Sequence, residues 1–457
     1  MRHEPSSESA TDTQAAAASE TAEHALRRQR ELAAIWRALR HRNYQLFFSG
    51  QFISLIGTWM QSVAQSWLVY RLTGSAALLG AVGFASQIPV FLLSPLGGTV
   101  ADRYDRRRIL VGTQTASMLL AFVLAALTLL RLIQVWQIFL LAALLGVVNA
   151  FDIPTRQAFV VEMVGKEDLL NAIALNSSMV NGARIVGPAL AGILVAAIGE
   201  GWCFFANAVS YIAVIIGLLL MQLPPFERYP HVGSALAHIW EGFHFVWLTG
   251  PIRALLLLLG LVSLAGMPYA VLMPIFAENI LHSGSSGLGV LMGASGVGAL
   301  LGALSLAARQ GVRGLGRWVL FSAAGFGVSL ILFSLSHTFW LSAVLLLPVG
   351  FTMMIQMAAT NTLIQAMVPD ALRGRVMAVY SMMFMGMAPL GALLAGVLAQ
   401  RIGAPGMVAL GGVVTIAGAF VFGLRLPALR EQARPLLITQ EMVAGDPPEE
   451  VMSAGAR

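Results

Sequence analysis

Three features of this 457-residue chain carry side chains able to do chemistry where charge is costly. The first is Asp152 with Arg156, four residues apart and so on one helical face, within Asn149-Ala-Phe-Asp152-Ile-Pro154-Thr-Arg156-Gln157. The pair can be a plain i,i+4 ion pair near one mouth of its helix, or a carboxylate that exchanges partners and thereby carries a proton. Glu162 and Glu278 are weaker candidates for that proton, both at the ends of apolar segments. The second feature is Arg184, placed about twelve residues into an apolar segment, roughly 18 Å along a helix. A guanidinium at that depth is costly unless a partner or a wet cavity receives it. With no carboxylate evident at its level, Arg184 is expected to face a central cavity and meet an acidic substrate group; packing around Gly187 is the alternative.

The third feature is a turn, Gly98-Thr-Val-Ala-Asp102-Arg103-Tyr-Asp105-Arg106-Arg107-Arg108. Gly98 leaves room for close helix approach, Asp102 can cap the following helix, and Arg103, Arg106 and Arg107 can bridge to neighbouring helices. Such a turn can latch one conformation through ion pairs that break in another, or it can simply fix orientation. Around Arg184, Gly182, Gly187 and Gly192 allow a neighbouring backbone to approach, and Pro188 removes an amide hydrogen bond and can bend its helix.

Long apolar helices must hold these residues. The chain is 57% hydrophobic and 11% charged, with mean hydropathy +0.77, where an average soluble chain has about 25% charged residues. That composition cannot cover a water-facing surface. Segments able to cross about 30 Å of hydrocarbon fall at 44–69, 75–99, 109–130, 133–155, 172–198, 202–221, 252–277, 286–308, 316–335, 338–361, 376–400 and 405–425. Gln51, Gln61 and Gln65 interrupt the first, and should turn towards the bundle interior. The fold class is an all-α polytopic membrane protein of twelve transmembrane helices. Cys203 is the one cysteine, so there is no intrachain disulfide, and the eight histidines lack ligand spacing.

Orientation follows from arginine. Arg27, Arg28, Arg30, Arg37, Arg40 and Arg42 precede the first span, and Arg103 to Arg108, Arg156, Lys166, Arg228, Arg309, Arg313, Arg317, Arg373 and Arg375 mark the same side. The other side has Arg71, Arg131 and Arg401, so both termini are expected in the cytoplasm. The net charge of +6 then sets topology and meets anionic lipid, and does not point to nucleic acid. Residues 1–23, acidic and rich in Ser, Ala and Thr, read as a disordered cytoplasmic tail. Residues 24–42 read as a basic amphipathic segment at the interface, or equally as a positive flank.

The chain repeats itself. Met163-Val164 recurs as Met367-Val368, and Gly187-Pro-Ala-Leu-Ala-Gly-Ile-Leu194 as Gly391-Ala-Leu-Leu-Ala-Gly-Val-Leu398, both at an offset of 204 that Gly146 and Gly350 also obey. Leu79-Gly80 and Ala85-Ser86 recur as Leu288-Gly289 and Ala294-Ser295 at an offset of 209. The organisation is therefore a six-helix bundle over 43–221, a cytoplasmic linker over 222–250, a second six-helix bundle over 251–425 and a cytoplasmic tail over 426–457. Two such pseudo-symmetric halves can rock about a central site.

At the turn from Gly98 the chain resembles the major facilitator superfamily, whose corresponding turn has Gly, three residues, Asp-Arg, one residue, Gly and two basic residues. Gly98, Asp102, Arg103, Arg106 and Arg107 match, while Asp105 replaces the second glycine. The second-half turn, Ala308-Arg309-Gln-Gly-Val-Arg-Gly314-Leu-Gly-Arg317, keeps basic residues and has no aspartate. Gly187-Pro188 with its flanking glycines is similar to the antiporter motif of exporters, and residues 149–157 look like the bacterial branch containing the enterobactin exporter and macrolide efflux proteins. The resemblance implies the major facilitator fold, no enzymatic activity and no cofactor. It also implies export of a small organic molecule, siderophore-like or drug-like, by proton antiport across the bacterial inner membrane.

No Gly-x-x-x-x-Gly-Lys loop is present and the loops are short, against ATP-driven transport by this chain. A proton-coupled importer is the nearest alternative; a membrane enzyme, a channel or a non-transporting scaffold are rivals of other classes. Small organic substrate, protons and anionic lipid are the expected partners, of a chain acting as a monomer. Reporter fusions test the orientation. Fusions at Arg106, Leu236 and Arg373 should report cytoplasm, and those at Gly74 and Ala404 periplasm. A periplasmic signal at Leu236 breaks the six-plus-six arrangement.

Overall fold

The computed structural model describes residues 37–165, 167–222, 235–309, 311 and 314–444. The expected tail 1–23 lies outside them, as do most of the amphipathic segment 24–42 and part of the linker. The first half holds α1 (Arg42–Thr73), α2 (Ala76–Arg103), α3 (Arg106–Leu129), α4 (Val135–Val164), α5 (Leu169–Ile198) and α6 (Glu200–Leu220). A connecting helix α7 (Ala235–Leu248) follows. The second half holds α8 (Gly250–Ile280), α9 (Gly284–Ala307), α10 (Leu315–Ser334), α11 (Phe339–Met367), α12 (370–402) and α13 (404–444).

Local chemistry explains the turns. Gly74 takes a left-handed φ of 59°, its N–H donates to Tyr70, and the Ser75 hydroxyl accepts from the Leu78 amide to start α2. Gly403, at φ 77°, divides an otherwise continuous helical run into α12 and α13. Among the described residues ten helical runs are long and apolar enough to cross a membrane, one of them the run divided at Gly403. The remaining span is α1, whose hydropathy is lowered by glutamines. Its Gln51 and Gln61 are indeed buried, and Gln61 accepts a 2.7 Å hydrogen bond from Asn207 on α6; Gln65 is half-buried.

Two boundaries differ from expectation. α4 runs to Val164, past 155, because Phe159, Val160, Met163 and Val164 bury themselves although Thr155, Arg156 and Gln157 depress the local hydropathy. Within the break 222–250, α7 forms despite the neighbouring prolines, and Glu241 pairs with Arg375 at the start of α12. α8 and α12 each contain π-turns: Val262–Gly266 and Phe276–Ile280 in α8, Met382–Gly386 in α12.

The internal repeat is visible in the packing. A Cβ on Gly146 would stand 2.5 Å from the carbonyl oxygen of Ser86, and one on Gly350 would meet the same atom of Ser295. α5 crosses α9 where Gly192 meets Gly289, and α2 crosses α12 where Gly80 meets Gly396; a Cβ on Gly289 or Gly396 would lie 2.9 Å from the opposing glycine Cα. These two crossings are copies under the offsets of 204 and 209. Both sit at one end of the bundle, where Gln400 donates to Ser75 at 2.9 Å and Asn279 to Tyr70 at 2.6 Å across the halves. Farther along, the contact continues through Phe91 on Gly386 and Ile185 on Gly296, and among the described glycines no such contact joins the halves beyond these.

Closure at this end therefore depends on absent side chains. Cysteines placed at Ser75 and Gln400 should cross-link readily in membranes. Adding Gly80→Val should lower the yield several-fold while the protein remains helical and monodisperse. An unchanged yield would mean that the crossing tolerates a side chain.

Candidate functional site

Asp152 lies twelve residues from the end of α4, about 18 Å at 1.5 Å per residue, and not at a mouth as the predicted span placed it. It is 3% exposed. One carboxylate oxygen accepts from Thr113 at 2.8 Å and from Gln114 at 2.7 Å on α3, and the other faces Arg156 at 3.4 Å. The buried Tyr211 of α6 lies close to both charges. The i,i+4 spacing thus yields the ion pair, while Thr113, Gln114 and Tyr211 give it a polar box from two further helices. Gln114, a lone amide in an apolar segment, was the one signal in the sequence that could have found this box.

The second half repeats the position without the charge. At the offset of 204, Asp152 and Arg156 become Gln356 and Thr360 on α11. Both are fully buried, and neither the Gln356 amide nor the Thr360 hydroxyl has a hydrogen-bond partner among the described residues.

Arg184 is half-buried in the seam between the halves. Its guanidinium sits 5.6 Å from the ring centre of Trp59 on α1, and its backbone carbonyl would be 3.2 Å from a Cβ on Gly296 of α9. Tyr269 of α8, hydrogen-bonded at 2.7 Å to Ser295, is within its electrostatic reach. No carboxylate pairs with Arg184 among the described residues. Gly187 makes this geometry possible: a Cβ there would come 2.5 Å from that of Trp59 and 2.8 Å from the Ile56 oxygen, so α1 and α5 touch and bring the indole under the guanidinium. Gly192 and the Pro188 carbonyl serve the crossing with Gly289. Gly182 has only an ordinary 3.6 Å contact with Phe52, so its lack of a side chain is not what the packing requires.

The turn between α2 and α3 corrects two expectations. Gly98 has open space around it; the close approach belongs to Gly97, where a Cβ would collide with the Ala150 carbonyl. One residue is about 100° of helix, enough to exchange the packed face for the open one. The cap of α3 is Asp105, which accepts from the amides of Arg107 at 2.9 Å and Arg108 at 3.3 Å; Asp102 instead faces Arg106 at 3.6 Å. Arg106 donates to Glu162 at 2.6 Å, tying the turn to α4, and Arg107 donates to the Leu219 carbonyl at 2.6 Å, tying it to α6. Arg103 is exposed and makes no hydrogen bond or ion pair among the described residues. Glu162 therefore belongs to the turn; Glu278 lies at the closed end, on the π-turn beside Asn279.

Comparison with known proteins agrees with this arrangement. Residues 33–445 match the family model described as transmembrane secretion effector. The staphyloferrin A transporter of Staphylococcus aureus is 27% identical over 377 residues, covering 82% of this chain and 94% of that protein. Enterobactin exporter EntS of Shigella boydii is 27% identical over 342 residues, covering 74% and 80% respectively. Among solved structures, nucleoside transporter NupG (D323A mutant) superposes with TM-score 0.69 at 13% identity, covering 84% of this chain and 99% of that one, which shows a shared fold.

If the Arg106–Glu162 pair is what holds the turn, the two residues should behave as a unit. Arg106→Gln and Glu162→Gln should each lower transport several-fold at matched membrane levels, and the double variant should be little worse than either. Asp102→Asn should cost less. Asp105→Gly should be tolerated, since glycine at an N-cap loses only a few tenths of a kcal/mol, whereas Asp105→Ala should cost about 1 kcal/mol. Additive losses for the first two would show that they act separately.

Proposed function

The chain belongs to the transmembrane secretion effectors of the major facilitator superfamily, secondary transporters that export small molecules, and on that premise we propose proton-driven export of an organic substrate bearing acidic or phenolic oxygens. The observation carrying the substrate class is Arg184, a cation on an aromatic face in the seam of the two halves, with no protein carboxylate to neutralise it among the described residues. Guanidinium forms directed, charge-assisted pairs with anionic oxygens and keeps its charge across physiological pH. The similarity to the staphyloferrin A transporter and the enterobactin exporter supports the same class.

The protein is a multi-pass membrane protein; the bacterial inner membrane with cytoplasmic termini is our reading of the arginine pattern. In that orientation the glycine crossings close the periplasmic end, and substrate enters the seam from the cytoplasm. Asp152 is the proposed proton carrier. Ionised, it holds Arg156, Thr113 and Gln114 together. Protonated, it loses the charge that binds Arg156 and accepts more weakly from Thr113 and Gln114, which loosens α4 from α3. Proton entry and substrate exit then alternate through one box and one seam.

Two substitutions separate recognition from coupling. Arg184→Gln should weaken binding of an acidic substrate by at least about tenfold, with Arg184→Lys intermediate, because the lysine keeps charge but not the planar fork. A neutral hydrophobic compound should be nearly unaffected. Asp152→Asn should abolish accumulation against a gradient while sparing substrate exchange, and a protonophore should abolish export with ATP maintained. Equal losses for acidic and neutral compounds in Arg184→Gln would reject recognition. Proton-coupled export surviving in Asp152→Asn would reject the carrier.

A further inference from the structure

The connecting helix α7 takes no part in the box around Asp152 or the seam around Arg184, yet its two faces differ sharply. One packs against the start of α12. Gly242 and Val246 are buried there, a Cβ on Gly242 would stand 2.7 Å from the Arg375 carbonyl oxygen, and Glu241 pairs with the Arg375 guanidinium. The other face carries Trp240, His244, Trp247 and Leu248, spaced i, i+4, i+7 and i+8 and therefore on one stripe. Trp240 is 75% exposed, Trp247 69% and Leu248 70%, and the stripe includes no Lys, Arg, Asp or Glu.

Exposed tryptophan has a consistent place in this molecule. Among the described residues the others are Trp136, Trp202 and Trp340, in the first turns of α4, α6 and α11. Those helices all begin at the end that holds the glycine crossings, so their indoles form a belt at one membrane face. Trp240 and Trp247 stand at the opposite end, and α8 fixes their depth. Its 31 residues rise roughly 46 Å at about 1.5 Å each, close to the roughly 40–45 Å of a bilayer with both headgroup layers. Asn279 near its last turn reaches Tyr70 at the closed end, so Gly250 at its first turn stands in the other headgroup layer. Thr249, at φ −95° and ψ 95°, ends α7 just there. The Arg253 guanidinium lies 5.4 Å from the Trp247 ring centre and donates to the Trp247 carbonyl at 2.9 Å, which pins that indole to the entry of α8.

We propose that α7 docks its Trp240–His244–Trp247–Leu248 face into the headgroup–acyl boundary of that leaflet, and through Gly242 and Glu241 holds the start of α12 at the membrane surface. An indole suits this layer, since its ring is apolar and its N–H still finds a polar partner. In water the same stripe would expose three large apolar side chains together. Apolar area and not charge carries the attachment, so a neutral bilayer serves as well as an acidic one. α12 bears Gly396 of one crossing and the π-turn Met382–Gly386, so the footing acts on a helix that takes part in opening. The attachment uses neither Arg184 nor Asp152 and stands independently of substrate class and proton coupling.

His244→Cys in a Cys203→Ser background puts one nitrobenzoxadiazole label at the centre of the face and leaves both tryptophans in place. In phosphatidylcholine vesicles, lipid with a nitroxide on its acyl chain should quench this label several-fold more than iodide in the water does. Added phosphatidylglycerol should change nothing. Trp240→Glu with Trp247→Glu should reverse the order of the two quenchers. For the footing, a nitroxide at Gly374→Cys, an exposed position of α12 with open space around it, should become several-fold more mobile in that double variant. A label quenched chiefly by iodide would overturn the docking, and protection that grows with protein density would assign the face to a second copy of the chain. Dependence on phosphatidylglycerol would show a charge-driven contact in its place. Unchanged mobility at Gly374→Cys would overturn the hold on α12.

Discussion

The arrangement of this molecule depends on two places where helix backbones touch with no side chain between them. Gly192 against Gly289 and Gly80 against Gly396 bring helices from opposite halves to a separation that even alanine would disturb. In hydrocarbon, apolar burial gives helices little reason to associate, so close packing and interhelical hydrogen bonds must supply the attraction. Both are present: the crossings themselves, and the bonds of Gln400 to Ser75 and Asn279 to Tyr70 beside them. A joint made this way is firm when closed. It also has little to break on opening, since few buried polar groups depend on it. That suits halves that rock.

The halves share a backbone plan but divide the chemistry. Charge gathers in the first: Asp152 with Arg156 inside, and Arg106 with Glu162 at the turn. At corresponding positions the second half has Gln356, Thr360 and Ala366. It has instead the π-turns of α8 and α12. A π-turn loosens the regular i→i−4 ladder and is a common accompaniment of functional sites. On the proposed reading, the first half holds a charge whose state can change, and the second changes its packing. Gln356 and Thr360, buried without hydrogen-bond partners among the described residues, keep the position of the first-half pair without its charge.

Much of this was legible in the sequence. Helix number and fold class follow from the spacing of apolar segments, and the offsets of 204 and 209 mark as repeated the glycines that the structure brings together at both crossings. Reading failed where a single residue of phase matters. Gly97 and Gly98 are indistinguishable by composition, yet only one faces α4. Asp102 and Asp105 both precede basic residues, but only Asp105 occupies the position from which a carboxylate reaches the first free amides of α3. Asp152 lies farther from its helix end than hydropathy indicates, because the helix continues through Thr155, Arg156 and Gln157 on the strength of its buried face. The partners Thr113, Trp59 and Tyr269 left no mark, because they are set by tertiary contact between segments far apart in the chain.

Arg184 gains its significance from the helix that carries it. α5 bears Gly192 at the crossing, Gly187 against α1, and Arg184 one turn farther from the closed end. Gly187 fixes the guanidinium over Trp59, a contact within the first half, while Gly296 fits against the backbone of Arg184 from the second. Opening at Gly192–Gly289 must move α9 relative to α5, and so must move Ser295 and Gly296 relative to Arg184, while Trp59 travels with it. The cation therefore keeps one neighbour and changes the other whenever the halves rock. A charge held permanently on an aromatic face, with a variable surface opposite, can hold an anionic oxygen in one state and present it to different surroundings in the next. On the proposed reading, recognition and motion are joined through one helix, and the glycines that permit the crossing also set the position of the arginine.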